Sequence, residues 1–113
     1  MKMRTAEEFM AAKRDWIEET SEACTSNVLK DIEESLEEAY TKFKTFRENE
    51  YVYVGKYYST MRGIIELKDE VKVYTEIYIK VCAAVEEAVK EYGWECKYRN
   101  NGKTLFLVPI SKK

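Results

Sequence analysis

Apolar residues recur at alternating spacings of three and four between residues 64 and 92, and this repeat constrains the fold more than any other feature. Nine consecutive positions of the repeat are apolar: Ile64, Leu67, Val71, Tyr74, Tyr78, Val81, Val85, Ala88 and Tyr92. Such spacing matches the period of about 3.6 residues that an α-helix presents to one face. The repeat therefore predicts one long helix over about residues 62–92.

The segment 71–81 allows a second interpretation. Its sequence, VKVYTEIYIKV, alternates between two faces and is rich in β-branched residues, which is typical of a strand. The three-four repeat continues beyond this window into CAAVEEAVKEY, and we therefore favour the helix. A strand over 71–80 followed by a short helix is the alternative.

Two more amphipathic helices are predicted before residue 50. Thr5 and Glu8 form the pattern of a capping box, and an apolar stripe follows it over residues 6–24. Thr25-Ser26-Asn27 then compete for backbone hydrogen bonds and predict a break. A second stripe predicts another helix over residues 27–47. One continuous helix through the break is the alternative.

Three short strands complete the predicted fold. Residues 51–57 change to a period of two, and residues 94–99 and 104–110 flank Asn100-Asn101-Gly102, a strong hairpin-turn signal. Gly93 is placed to end the preceding helix. The last strand is apolar on both faces, which is typical of a central strand. We therefore expect it to lie between the other two.

Together these elements predict a single α+β domain over residues 1–113. It contains two N-terminal amphipathic helices, a short strand, a long helix and a C-terminal β-hairpin that completes a small three-stranded sheet. The first residues, MKMRTAEEFM, lack the apolar stretch of a secretory signal, and no segment approaches the ~20 apolar residues of a membrane span. We therefore expect a cytoplasmic protein with no membrane partner.

Several classes of chemistry are disfavoured by composition. The sequence has no histidine, which removes histidine-assisted nucleophiles, histidine bases and histidine-ligated metals. Cys24, Cys82 and Cys96 are widely spaced and odd in number, which favours buried free thiols over disulfides. Gly102-Lys103-Thr104 lacks the earlier glycine of a phosphate-binding loop, because that position is Lys97. We therefore expect no catalytic residues, no cofactor, no metal and no enzyme activity.

The charge is unevenly distributed along the chain. Residues 7–38 hold eleven Asp or Glu and three Lys or Arg, a net charge of −8, whereas residues 51–113 carry +3. Carboxylates four apart on one helix face can bind a divalent metal, but here a solvated surface is favoured. As a candidate partner-binding acidic surface we select Glu18, Glu19, Glu22, Glu33, Glu34, Glu37 and Glu38.

Aromatic and basic residues supply two further candidate surfaces. The nine tyrosines are numerous for a chain of this length, and tyrosine favours interfaces because it combines an apolar ring with a hydrogen-bonding hydroxyl. Candidate aromatic contacts are Tyr51, Tyr53, Tyr57 and Tyr58. Basic residues near the hairpin are an alternative nucleic-acid contact: Lys97, Arg99 and Lys103. The acidic balance, with a sequence pI of about 5.4, argues against that alternative.

Residues 87–110, EAVKEYGWECKYRNNGKTLFLVPI, resemble the closing unit of many small uncharacterised phage and prophage proteins. That unit is a helix, a Gly-aromatic pair, a strand, a polar turn and a last strand. The opening TAEEF at residues 5–9 is also similar to theirs. The resemblance implies an accessory protein of a mobile element that acts by binding a host protein.

These observations lead to three functional hypotheses. The first is a non-enzymatic interaction protein that oligomerises through its long helices, as in a coiled coil. It would inhibit a host defence protein by offering carboxylates where phosphates would lie. The second is a small nucleic-acid-binding protein that uses the basic hairpin. The third is a structural or assembly protein that oligomerises through its helices.

Overall fold

Three helices and three strands form the fold, as described by a computed structural model for residues 2–42, 51–65 and 71–110. Their order is α1 (Ala6–Lys42), β1 (Val52–Tyr53), α2 (Tyr57–Ile65), α3 (Val71–Lys90), β2 (Trp94–Arg99) and β3 (Thr104–Pro109). The strands form an antiparallel sheet in the order β1-β3-β2. The α+β class and the central position of the last strand are therefore confirmed.

Helix α1 runs without interruption through residues 25–27, so the predicted break there is wrong and the continuous helix is correct. The Thr25 hydroxyl donates to the Ser21 carbonyl at 2.7 Å, and the Ser21 hydroxyl donates to the Ile17 carbonyl at 2.6 Å. These side chains bond back into their own helix instead of capping a new one. Val28 is fully buried and anchors the same segment to the core. Residues 43–47 of the predicted second helix lie outside the described residues.

The capping box at the start of α1 is confirmed. The backbone N–H of Glu8 donates to the Thr5 hydroxyl at 3.1 Å, and Arg4 donates to the Glu8 carboxylate at 3.0 Å. The Arg4 hydrogen bond, followed by those from Thr5, lowers the pKa of Glu8 below its ordinary value. The first turn therefore has a partner for an otherwise unpaired N–H group.

Residues 71–90 are helical, so the strand alternative for 71–80 is wrong, but a single helix over 62–92 is also wrong. The Tyr57 hydroxyl lies 3.8 Å from the Cys82 sulfur. Tyr57 begins α2 and Cys82 lies in α3, so these residues would be about 37 Å apart if α2 and α3 formed one straight helix. Helices α2 and α3 therefore pack side by side, and Tyr57, predicted as the last residue of a strand, begins α2. Residues 66–70 lie outside the described residues.

The core lies between the helices and one face of the sheet. Leu105 and Leu107 of β3 are fully buried, as are Met61 of α2 and Ile77 of α3. On α3 the buried positions recur every four residues, at Ile77, Val81, Val85 and Val89. The apolar repeat therefore locates this helix correctly, but its last member, Tyr92, is 82% exposed.

The predicted hairpin turn is confirmed, and Gly102 is its most constrained residue. Asn100, Asn101 and Gly102 have φ angles of 56°, 58° and 81°, and the Lys103 N–H donates to the Asn100 carbonyl at 3.2 Å. Successive positive φ angles are typical of tight hairpin turns and are tolerated best by Asn and Gly. Tyr78 of α3 donates its hydroxyl to the Gly102 carbonyl at 3.1 Å. A Cβ on Gly102 would collide with that hydroxyl.

Two glycine-to-alanine changes should have opposite effects on stability. Gly102→Ala would strain a positive φ and displace Tyr78, and we expect it to lower the free energy of unfolding by about 1–3 kcal/mol. Gly63→Ala lies within α2, where a Cβ meets nothing within 4 Å. We expect that change to stabilise by about 0.5–1 kcal/mol. Urea unfolding followed by circular dichroism measures both, and equal effects would contradict this account of the turn.

Candidate functional site

A row of three side chains crosses the outer face of the sheet, on the side opposite the helices. Phe106 of β3 is paired with Tyr53 of β1 on one side and with Lys97 of β2 on the other. Neighbouring strands lie about 4.8 Å apart, so these side chains stand next to one another. The sheet therefore brings one residue from each of its strands into a single row.

Aromatic rings and a guanidinium group converge on Phe106. The Tyr51 ring lies 4.8 Å from it, edge to face, and the Tyr53 ring lies 5.3 Å away. The guanidinium of Arg99 lies over the Phe106 ring, 5.4 Å from its centroid, in a cation–π contact. We call this group the aromatic face; it consists of Tyr51, Tyr53, Lys97, Arg99 and Phe106.

The aromatic face is exposed because the helices cover only the other side of the sheet. Along β3, Leu105 and Leu107 point into the core, and Phe106 between them points outward. Tyr51 and Tyr53 are 57% and 55% exposed. Strands fix the positions of these side chains more firmly than a loop would. The face can therefore take up a flat apolar or π-bonded group, with Arg99 available to a carboxylate, phosphate or carbonyl oxygen.

Sequence reasoning missed Phe106, although the signals needed to find it were present. The hairpin turn fixes the pairing of β2 with β3, and that pairing sets Lys97 opposite Phe106. The apolar residues on both faces of the last strand predict a central strand, and they also predict that one of its faces carries an apolar side chain such as Phe106. In a sheet covered on one side, the second apolar face of that strand is exposed.

The four predicted aromatic contacts separate into different environments. Tyr51 and Tyr53 belong to the aromatic face, whereas Tyr58 lies on α2 and is 38% exposed. Tyr57 is only 2% exposed. It packs beside Tyr98 with ring centroids 6.3 Å apart, so its assignment as a partner contact is wrong.

Tyr57, Tyr98 and Cys96 form a largely buried group that we call the Tyr57 cluster, and burial shifts the pKa of each. Burial raises the pKa of the Tyr57 and Tyr98 hydroxyls well above their ordinary value of 10.0. Burial also raises the pKa of Cys96 to about 11, and it raises that of Cys24 on α1. Cys24, Cys82 and Cys96 are free thiols, and each is partly buried where the sequence predicts full burial. The Cys24 and Cys96 thiols are therefore poor nucleophiles at neutral pH.

The seven predicted acidic residues are all exposed on α1 but do not form one continuous surface. From the helical period, five of them fall within a sector of about 100°: Glu18, Glu19, Glu22, Glu33 and Glu37. We call these five the acidic row, which spans about 28 Å of helix. Glu34 and Glu38 point toward another side.

Glu34 is engaged within the molecule. Its carboxylate pairs with Lys56 at 3.0 Å, and this contact lowers the pKa of Glu34 and raises that of Lys56. Close by, the Thr60 hydroxyl donates to the buried Asp31 carboxylate, which ties α2 to α1. A shallow groove of about 620 Å³ lies beside this end of α1; its lining residues are Glu33, Glu34, Leu36, Glu37, Tyr40 and Trp94.

The basic candidates are only partly brought together. Lys97 and Arg99 share the aromatic face, and Lys103 lies in the exposed hairpin turn. Lys97 pairs with Glu95 of the same strand at 3.0 Å, which offsets its charge. Arg99 is therefore the principal cation of this surface.

In the part of the chain that the structure describes, no three Cys, Asp or Glu side chains are grouped as ligands for a metal ion. Within the same residues, no helix combines the length and apolar character needed to cross a bilayer.

No family model matches this sequence, and no match is found among curated proteins or solved structures. The resemblance to small phage proteins therefore stays a prediction of the sequence.

The Tyr57 cluster should make the fold sensitive to alkali. The raised pKa values mean that Cys96, Tyr57 and Tyr98 keep their protons in the folded state but lose them on unfolding. Their contribution is fully present below pH 9 and is lost as the pH rises through about 11 for Cys96 and higher for the tyrosines. The loss should approach about 1.4 kcal/mol per pH unit for each such group.

Denaturant unfolding at pH 7, 9.5 and 10.5 measures this loss. Tyr57→Phe keeps the ring and removes one ionisable group, so its stability should fall less steeply with pH than that of the wild type. Tyr58→Phe, on the surface of the same helix, is the matched control. Parallel profiles for the wild type and Tyr57→Phe would contradict the assignment.

Proposed function

We propose that this chain is a non-enzymatic protein-interaction module that binds another protein through the aromatic face. The observation that carries the proposal is the convergence of Tyr51, Tyr53 and Arg99 on Phe106, on a sheet surface that faces solvent. Tyrosine, phenylalanine and arginine are the residue types enriched in the centres of protein interfaces. Their positions are held before binding, so little conformational entropy is lost when a partner docks.

The acidic row supplies an electrostatic component to the same function. Its carboxylates are exposed along about 28 Å of α1, and none of the described ion pairs engages them. The acidic row would attract a partner with a basic surface, and the association rate of that partner would fall at high salt. The resemblance of residues 87–110 to phage accessory proteins suggests a host protein as the partner. Because carboxylates can take the place of phosphates, the acidic row would inhibit such a partner by occupying a nucleic-acid-binding groove.

A matched pair of double variants tests the aromatic face. Tyr53→Ala with Arg99→Ala removes an exposed tyrosine and a cation from the face. Tyr92→Ala with Lys90→Ala likewise removes a tyrosine and a cation, here from an exposed site at the end of α3. Each protein serves as bait in a bacterial lysate, and recovered proteins are quantified by mass spectrometry.

We expect at least one protein that the wild type and the Tyr92/Lys90 variant retain and the Tyr53/Arg99 variant loses. With that protein purified, calorimetry should show binding weakened by about tenfold or more for the Tyr53/Arg99 variant. Recovery of no specific protein, or equal retention by both variants, would refute this function.

Single-stranded nucleic acid is a second candidate ligand of the same surface. The specific observation in its favour is that aromatic rings and the cations Lys97 and Arg99 share one open antiparallel sheet. Bases stack on such rings while cations contact the phosphates. The net charge of −2 and the Glu95–Lys97 ion pair weaken the attraction for a polyanion, which is why we favour a protein partner.

Fluorescence anisotropy with a labelled oligothymidine at low salt tests this candidate. Nucleic-acid binding predicts an affinity that falls steeply with added salt and falls again in Arg99→Glu. Lys30→Glu on α1 makes the same charge change away from the sheet and should cost much less. A flat titration at low salt would remove this candidate and leave the protein-binding proposal intact.

A further inference from the structure

The two edges of the sheet differ in what they offer to another chain. The order β1-β3-β2 places β1 and β2 at the edges. Strand β1 has only two residues, whereas β2 has six and pairs with β3 without interruption. An edge of that length, without a proline or a bulge, can take a further strand. The edge along β2 is therefore the stronger candidate for pairing.

The hydrogen bonds of the sheet fix which residues of β2 bond to β3. The Val54 N–H donates to the Leu105 carbonyl at 3.0 Å, so the backbone groups of Leu105 point toward β1. Successive residues of a strand point their backbone groups to opposite sides, and those of Phe106 therefore point toward β2. Phe106 is paired with Lys97, so Lys97 bonds to β3.

The same alternation leaves the backbone N–H and C=O groups of Cys96 and Tyr98 pointing away from the sheet. At the start of β2 the Ile110 N–H donates to the Gly93 carbonyl at 2.8 Å, which agrees with odd-numbered residues bonding to β3. Among the described residues, no backbone hydrogen bond engages the outward groups of Cys96 and Tyr98. These groups are the donors and acceptors that an added strand would use.

Helix α3 provides a floor beneath this edge. It packs against β2 and, within the described residues, not against β3, so it lies under the outermost strand. A helix is about 10 Å wide, whereas strands are about 4.8 Å apart, so α3 extends about 5 Å beyond β2. That distance is the width of one further strand. Side chains of an added strand that point toward the helices would therefore rest on α3.

The charges along β2 indicate the chemistry of the strand that fits. Glu95, Lys97 and Arg99 are exposed on the open side of the sheet, at positions where an added antiparallel strand brings its side chains closest. Acidic residues opposite Lys97 and Arg99 and a basic residue opposite Glu95 complement all three charges. On the helical side, burial and then the Glu86 carboxylate of α3 raise the pKa of Cys96, which places a negative charge near this edge. Apolar side chains fit there better than acidic ones.

We propose that β2 binds an extended segment of a partner protein, which adds to the sheet as a fourth, antiparallel strand. The segment alternates charged residues toward the open side with apolar residues toward α3, and its residues opposite Lys97 and Arg99 are acidic. This inference rests on the proposed protein-binding function and names the form of its ligand, because the added strand extends the aromatic face by one more row. In this mode main-chain hydrogen bonds supply affinity and alternate side chains supply specificity.

A synthetic peptide tests the pairing directly. The capped sequence Glu-Val-Glu-Val-Lys-Val sets its charged residues opposite Arg99, Lys97 and Glu95 and its first two valines opposite Tyr98 and Cys96. In NMR titrations of the isotope-labelled full chain, the peptide should shift the amide signals of Cys96 and Tyr98 and slow their hydrogen exchange. We expect a dissociation constant on the order of 1 mM, because a short flexible peptide loses conformational entropy on binding.

Two methylated peptides form a matched pair. N-methylation of the first two valines removes N–H groups that point toward β2, and it should weaken binding by about tenfold or more. N-methylation of the second glutamate and the lysine alters N–H groups that point away from β2, and it should change binding by less than about twofold. The charge-exchanged peptide Lys-Val-Lys-Val-Glu-Val should bind about tenfold more weakly than the original.

A pair of substitutions separates the edge from the aromatic face. Cys96→Pro removes an N–H that points outward without breaking a bond to β3, and Cys96→Ala removes the same thiol but keeps the N–H. Only Cys96→Pro should lose the peptide and the lysate protein that the wild type retains. Circular dichroism checks that both variants fold, and the methylated peptides decide the question on the wild type if the proline variant does not.

Several results would overturn the inference. A flat titration would mean that Lys97 and Arg99 protect the edge from pairing. Equal loss of binding by both methylated peptides would place the peptide elsewhere. A wild type that is dimeric in sedimentation equilibrium, and monomeric as Cys96→Pro, would mean that a second copy fills the edge. A lysate protein that Cys96→Pro keeps and the Tyr53/Arg99 variant loses would overturn the edge and leave the aromatic-face proposal intact.

Discussion

The burial of one face of β3 against the helices is the contact on which the rest of the structure depends. Leu105 and Leu107 are completely buried there, and they meet a helical layer whose own centre is Met61 and Ile77. Only one layer of helices exists in the described molecule, and it lies on one side of the sheet. The opposite side of β3 must therefore face water, although Phe106 lies in the middle of it. The aromatic face thus follows from how the core is closed.

Features set by local chemistry could be predicted from the sequence, and features set by packing could not. The Asn-Asn-Gly turn requires positive φ angles that few other residues tolerate, so the hairpin is predictable. The central position of its last strand is predictable from the apolar residues on both of its faces. The break at 25–27 was not, because polar side chains that cap one helix can equally bond back within another, as Ser21 and Thr25 do. Val28, which is fully buried, packs this uninterrupted part of α1 against the core.

The same distinction applies to the candidate site. The apolar repeat predicts that residues 71–90 are helical, but it does not predict which other segment of the chain this helix packs against. The repeat spans residues 64–92, yet Tyr57 of α2 contacts Cys82 of α3. That fold-back buries Tyr57 and leaves Tyr53, four residues earlier, exposed. Counting tyrosines therefore identified the right segment of the chain, and only the topology separates the core tyrosine from those on the surface.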